Sequence, residues 1–529
     1  MRYDVIIVGS GMAGLTAGAY LCKNAHNVLI IEKSEKTGGL VTSFERDGFT
    51  FDAGIRAFEN SGIIFPMLRQ LGITVDFIKN PVSLGIEREF IYLKTKESIK
   101  DYLELLLKNF PSQAKQIEKI INEIKKVMNY MDVLYGIDNP LFMDLKHDRD
   151  YLTKTLLPWM IKYAKNIRKI EMLNMPIKEY LLNFTQNMQL IDTITQHFFA
   201  DTPAFFALSY FGLYLDYSYP KGGTQTLASK MTSFIRQNSG KILLKTEISQ
   251  IDSERKKLFS SDSQEFEYNQ LIWAADLKNF YRNLNKNSLK NLISNKKSEK
   301  TYNEIMNADA SESVLTLYLA VDLPKEVFES VFGAHCFYTP QKTGLSHIAS
   351  LKNSISNTED LSGYLSKYLE LTTYEISCPA IRDNSLAPQG KTGLIISTLL
   401  DYDLAKLAEQ KGWYEEFKAL CKDRIIDVLD KSILKGLKSK VIFGVISSPL
   451  TLEKITSNTR GAVTGWAFKN NPVPSENRMR SIKKSIFTPL KDIYQAGQWT
   501  FSPSGLPISI LTGKLAADKV HKKLHKCQR

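Results

Sequence analysis

A chain of 529 residues with 43% hydrophobic and 24% charged residues is too apolar to be disordered and too long for one core, so two domains are expected. Its net charge of +13 invites nucleic acid, an anionic membrane surface or an acidic substrate as partner. Five scattered cysteines and seven histidines show no metal-ligand spacing, and no apolar run reaches eighteen residues, which leaves out a disulfide scaffold, a structural metal and a helical membrane span.

The chain opens with a buried-type strand (Val5, Ile6, Ile7, Val8), turns on Gly9 and Gly11, and enters a helix at Met12 and Ala13 whose first turn holds Gly14. In strand, turn and helix, Gly9 permits the turn, Gly11 lets backbone approach a pyrophosphate, and Gly14 lets helix and strand close up. A second strand, 27–31, ends on Glu32, with Lys33 beside it. A carboxylate there accepts the two hydroxyls of an adenosine ribose and repels a 2′-phosphate, so NADP is disfavoured. Residues 1–31 carry no signal-peptide cleavage region, and the chain is expected to stay in the cytosol.

Six residues after Glu32 stands a second glycine pair, Gly38 and Gly39, then a hairpin over 40–52. With EKSEKTGGLVTSFERDGFTFDAG in place, the chain resembles the flavin amine oxidase and phytoene desaturase superfamily. The resemblance implies non-covalent FAD lying along this segment. Relatives often carry Arg where this chain has Leu40, and Arg56 is the candidate compensating cation.

Further on, a short helix is expected over 63–71 and an amphipathic helical run over 97–131, broken and restarted at Pro111. The segment NFPSQAKQIEKIINEI is similar to the substrate domain of carotenoid desaturases, carotenoid isomerases and retinol saturases. A second amphipathic stretch, 152–170, is opened by Pro158, and its stripe of Leu156, Trp159, Met160, Tyr163, Ile167 and Ile170 faces away from Lys162, Lys165, Arg168 and Lys169. Such a helix packs on its own domain or lies in a membrane interface. TPAFFALSYFGLYL, between Asp201 and Asp216, is too short to span a bilayer and reads as a core helix or the wall of an apolar pocket.

Tyr219, Pro220, Gly222, Gly223 and Thr224 turn the chain into a helix over 224–238, followed by a strand over 242–248. The pattern resembles the desaturase and saturase branch, which implies that Ile248 meets the adenine side through its backbone and that the small residues Ala274 and Ala275 lie near the cofactor. Strands are expected at 314–321 and 393–400, and a helix at 413–429. The last motif, KDIYQAGQWTFSPSGLPISIL, gives a strand ending at Gly497, a loop through Gly505 and a helix beginning at Leu506, Pro507 and Ile508. In the superfamily that helix start faces the flavin. Gln498 stands where many relatives carry an acid.

The fold expected is α/β: a discontinuous Rossmann-like FAD domain (1–80, 216–300, 480–529) and a mixed sheet-plus-helix substrate domain (81–215, helical, and 301–479). The expected activity is FAD-dependent oxidoreduction at carbon–carbon bonds of an apolar isoprenoid or polyene, with Arg56, Tyr219, Thr224 and Gln498 as candidates near the reacting end. A flavin amine oxidase is the alternative, its amine held among Tyr219, Trp466, Phe468, Trp499 and Phe501. The other is a prenyl-binding protein of the GDP-dissociation-inhibitor type. Nucleic acid is disfavoured as a partner. The basic patches at 286–300, 478–491 and 519–529 suit a peripheral contact with an anionic membrane on its cytoplasmic face.

Overall fold

The computed structural model of the chain describes residues 2–527. Two seven-stranded sheets organise it. The first runs in the order Lys241–Leu243, Val28–Ile31, Arg2–Val8, Glu265–Trp273, Lys257–Ser260, Ile248–Asp252, with Ile493–Gln495 added beside Glu265–Trp273. Val5 to Val8 pair in parallel with both Val28–Ile31 and 270–273, which is why all four are buried. The helices Met12–Lys23, Gln225–Gln237 and Leu506–Cys527 cover one face of this sheet. Gly513 lets the last helix close on the first, since a side chain there would strike the Ala13 carbonyl.

The second sheet runs Val441–Ser447, Ser313–Val321, Thr392–Leu400, Tyr374–Ser377, His335–Thr339, Val82–Ile86, Glu89–Leu93. Alternation sorts its side chains: Leu394, Ile396, Tyr374 and Ile376 pack under the helices Thr358–Leu371 and Tyr414–Ser432, while Ser397 and Glu375 point the other way. The helices Ile99–Asn109, Ala114–Tyr135 and Ala204–Leu215 build a third core against Val82, Ile86 and Leu93. A three-stranded ribbon, Phe58–Glu59, Tyr217–Pro220 and Phe77–Lys79, accompanies the two large sheets.

Two expectations change. The block 81–215, read as helical, also supplies Val82–Ile86 and Glu89–Leu93 to the second sheet. The strand read over 242–248 divides in two, because the backbone wraps around Glu32: the Glu32 amide bonds the Leu243 carbonyl, the Thr246 amide bonds the Glu32 carbonyl, and Lys245 adopts a positive φ between them. The four cysteines whose side chains are described, Cys22, Cys336, Cys378 and Cys421, are free and buried, and burial pushes their thiols up to about 12.

Candidate active site

The glycine turn has the shape of a phosphate cradle. Gly9 has φ +99°, and a Cβ on it would lie 2.6 Å from the Ala274 carbonyl oxygen; one on Gly14 would lie 2.0 Å from the Gly9 carbonyl oxygen. Gly11 differs, because a Cβ there would meet nothing within 4 Å. That open space lies in front of the first-turn amides of Met12, Ala13 and Gly14, which have no carbonyl of their own helix to bond. Gly38 is tied to the turn through the Ser10 carbonyl at 2.9 Å, and Gly39, at φ +60°, approaches Gly11 closely.

Glu32 is half-buried and accepts from the Ser10 amide and hydroxyl, both at 2.8 Å, and from the Ser34 amide at 2.9 Å. Lys33 turns aside to the Lys454 carbonyl and the Ser457 hydroxyl. The Ile248 carbonyl accepts from the Asn283 amide, and Ala274 and Ala275 close on Gly9. Leu40 acts through its backbone: its carbonyl accepts from Ile55 and sits against Gly54. An open anion-receptive turn with a carboxylate at the next strand end fits a dinucleotide.

At the other end, Gly497 (φ +105°) bonds the Thr512 hydroxyl at 2.9 Å and lies against Ala13, and the loop then runs to Gly505 and the helix start at Leu506, Pro507 and Ile508. Gln498 is half-buried in this loop. Sequence reading missed the carboxyl group beside it. A Cβ on Gly505 would stand 3.7 Å from Glu59 Oε1, and burial, helped by Asp216, pushes Glu59 up to about 7. It stands between Phe58 and the turn residues Asn60, Ser61 and Gly62, where nothing in the sequence marks it out from a surface acid.

A second missed group lies deeper. The Arg382 guanidinium donates to the Asn80 side-chain oxygen at 3.2 Å and to the Arg56 carbonyl at 3.1 Å, and rests over the Tyr219 ring. An arginine can only donate, so the Asn80 oxygen faces Arg382 and the Asn80 NH2 faces His335 Nδ1 at 3.0 Å. Nδ1 therefore accepts, and the histidine proton lies on Nε2, 3.0 Å from Glu375 Oε1. Burial lowers the His335 pKa against the pull of Glu375. Burial raises Glu375, but the His335 hydrogen bond and the charges of Arg56 and Arg382 outweigh it and leave the carboxyl below its ordinary value.

An apolar cavity of about 60 Å³ adjoins this cluster, lined by Ile124, Ile194, Leu208, Phe211, Tyr214 and Phe337 among others. The helix Ala204–Leu215 is thus both core element and pocket wall. Aromatic rings join cavity and cluster: Tyr214 meets Phe337 and Tyr217 at 5.0 and 5.6 Å, and Tyr217 stacks on His335 at 5.7 Å. Burial drives His197, on the cavity wall, down to about 4, so it is neutral near pH 7.

The four candidates near the reacting end separate. Arg56 turns its guanidinium to Thr316 and Ser397 of the second sheet, not to the glycine turn. Tyr219 and Thr224 are buried and both hold Asp52, which fixes the hairpin. Trp466, Trp499 and Phe501 are also buried, with Trp466 and Trp499 packed edge to face at 4.8 Å. Among the described residues, no group of three or more His, Cys, Asp or Glu stands where it could hold a metal ion.

Residues 12–317, more than half of the chain, match the model of the flavin containing amine oxidoreductases. The chain belongs to that family. It is an FAD-dependent oxidoreductase of α/β fold with a second, mixed sheet-and-helix part. Within the family this flavoprotein is similar to prolycopene isomerase 1 of an Oncidium hybrid cultivar (23% identity, 98% of this chain and 84% of the relative) and to a 1-hydroxycarotenoid 3,4-desaturase of a Flavobacterium (22%, 97% and 98%). Its fold is that of an oxidoreductase from Methanosarcina mazei, with TM-score 0.61 at 14% identity over 99% of this chain and 100% of the other.

Proposed function

We propose that this flavoprotein acts on carbon–carbon bonds of a polyene or isoprenoid. The reading rests on one observation above all: the apolar cavity is walled by aromatic rings, and its wall residue Tyr214 packs on Tyr217, the cross-strand partner of Glu59 beside the Gly505 loop. The relatives named above are carotenoid enzymes, which supports it further. In this reading residues 1–80, 216–300 and 480–529 hold FAD and the intervening blocks hold substrate.

Gly11, Met12, Ala13 and Gly14 would take the pyrophosphate, Glu32 the ribose, and the start of the last helix the flavin. Bound FAD supplies a two-electron acceptor and donor at one carbon. The protein's own part is to exclude water with aromatic walls and to move a proton at the neighbouring carbon. Glu59, titrating near neutrality, suits that transfer. The amine reading gains nothing from the buried Trp466 and Trp499.

A peripheral contact with the cytoplasmic face of an anionic membrane belongs to the same proposal, because a lipid-soluble substrate must be loaded. Among the described residues no helix is long and apolar enough to cross a membrane. The helix Leu157–Glu171 nevertheless exposes Leu157, Met160 and Ile161 beside Lys162 and Lys165. The test is anaerobic incubation of photoreduced and of oxidised holoprotein with a poly-cis C40 polyene in anionic liposomes, read by chromatography. A changed double-bond number or geometry is the expected result. No change in either redox state, from protein carrying full flavin, overturns the proposal.

A further inference from the structure

Glu375 lies on a central strand of the second sheet, between His335–Thr339 and Thr392–Leu400, yet 30% of its side chain remains open. The carboxyl therefore faces an accessible space beside the cavity that Phe337 and Leu84 line. Oε1 takes the His335 proton, and Oε2 has no hydrogen-bond partner among the described residues. The relay from Arg382 through Asn80 to His335 commits three buried groups to holding this one carboxylate in place. Nothing in the handling of a bare hydrocarbon calls for that investment.

The sheet register shows what the space is shaped for. Thr316, Ser397, Glu375, Phe337 and Leu84 are cross-strand partners in one row across five strands. The row is polar at one end, where the Arg56 guanidinium rests on Thr316 and Ser397, and apolar at the other, where Phe337 and Leu84 line the cavity. Adjacent strands lie about 4.8 Å apart, so the row spans roughly 19 Å with one polar-to-apolar change in it.

We propose that this row binds an amphipathic polyene or isoprenoid whose hydroxyl end donates to Glu375 Oε2 while its chain runs over Phe337 and Leu84 toward the apolar cavity. This rests on the polyene reading above and names the substrate class within it. Charge decides among head groups. A carboxylate, though drawn to the guanidiniums of Arg56 and Arg382, would meet the Glu375 charge at Oε2, and an ammonium, though drawn to Glu375, would meet those guanidiniums. A neutral hydrogen-bond donor meets neither penalty and satisfies the open oxygen.

The test uses flavin-loaded protein and three fluorescent linear C18 tetraenes of equal length: an alcohol, its methyl ether and the corresponding carboxylic acid. Binding is read from tetraene emission. The alcohol should bind wild type about tenfold more tightly than the ether, one charge-assisted hydrogen bond being at stake, with the acid weakest. Glu375→Ala should erase the preference for the alcohol, and Glu375→Gln, which removes the charge and, with its carbonyl held by the His335 N–H, turns an NH2 donor toward the ligand, should relieve the discrimination against the acid. Flavin content and melting temperature report whether each variant folds, and either variant alone suffices for the comparison. Equal binding of alcohol and ether by wild type, or a preference that survives Glu375→Ala, overturns the proposal and leaves the polyene reading standing. Binding of none of the three by wild type overturns both.

Discussion

Asn80 Nδ2 stands 3.0 Å from His335 Nδ1, and this contact decides which histidine nitrogen carries the proton. Because Arg382 fixes the amide orientation, the neutral ring keeps its proton on Nε2, facing Glu375. In 15N NMR of the holoprotein, His335 should show the Nε2–H tautomer from pH 6.5 to 8, consistent with a pKa lowered by burial. Asn80→Asp places an acceptor against Nδ1 instead, so His335 should become doubly protonated near neutral pH. Persistence of the neutral ring in that variant would remove the relay from the account. Asn80→Leu leaves buried donors of Arg382 and an acceptor of His335 unmet, at roughly 1–3 kcal/mol each, and should lower the melting temperature.

Gly11 and Gly14 make different predictions though they share one motif. A methyl group on Gly14 collides with the Gly9 carbonyl at 2.0 Å, so Gly14→Ala should yield little folded protein. Gly11→Ala meets no protein atom and should fold normally. Its methyl group would instead enter the space where a pyrophosphate approaches the backbone, and FAD affinity should fall about a hundredfold or more. Apoprotein melting and flavin titration separate the two effects. A Gly11→Ala protein that binds FAD like wild type would place the pyrophosphate elsewhere.

How far the sequence discloses this site follows from the range of the interactions involved. Gly9, Gly11, Gly14 and Glu32 are legible because each answers a local demand of a turn or a strand end, and they lie within two dozen residues of one another. Asn80, His335, Glu375 and Arg382 lie up to 302 positions apart, and their meeting depends on the register of the second sheet. No periodicity reports a cross-strand row. Glu59 is hidden for a related reason: only its pairing with Tyr217 and its nearness to Gly505 set it apart from a surface acid. Tyr219 and Thr224 stand out in the sequence as parts of a conspicuous turn, yet their hydroxyls serve Asp52 and the geometry of the hairpin.

Glu59 also gives a stability signature. Its carboxyl has an ordinary value of 4.5 and is pushed up to about 7 in the folded chain. Between these values the folded state holds a proton that the unfolded state has released, so stability falls as pH rises through the window, and the loss is complete above about 7. Asp216, raised by burial as well, acts in the same direction. Glu59→Gln removes the Glu59 contribution. The variant should melt a few degrees above wild type at pH 8 and no higher at pH 4.5, as read by calorimetry of the flavin-loaded proteins. A constant difference across that range would mean that Glu59 does not titrate there.

The helix Leu157–Glu171 tests the route by which substrate reaches the cavity. An amphipathic helix packed on its own domain buries its apolar stripe, and Ile167 and Ile170 do so. Leu157, Met160 and Ile161 instead stand 54%, 52% and 61% exposed, at spacings that put them on one side of the helix, with Met172 at 74% just beyond its end. Lys154, Lys162 and Lys165, all exposed, flank them in the sequence. Burying the open part of three such side chains in a bilayer is worth about 1 kcal/mol each, and each lysine near an anionic surface adds about 1 kcal/mol that salt screens. Replacing Leu157, Met160 and Ile161 together by Ser should therefore weaken sedimentation with phosphatidylserine vesicles roughly a hundredfold while leaving flavin content and melting temperature unchanged. Replacing Lys162 and Lys165 by Gln should mainly flatten the salt dependence. If neither change alters vesicle binding, the exposed stripe is not the loading face, and the other basic surfaces, such as the one around Lys483 and Lys484, become the place to look.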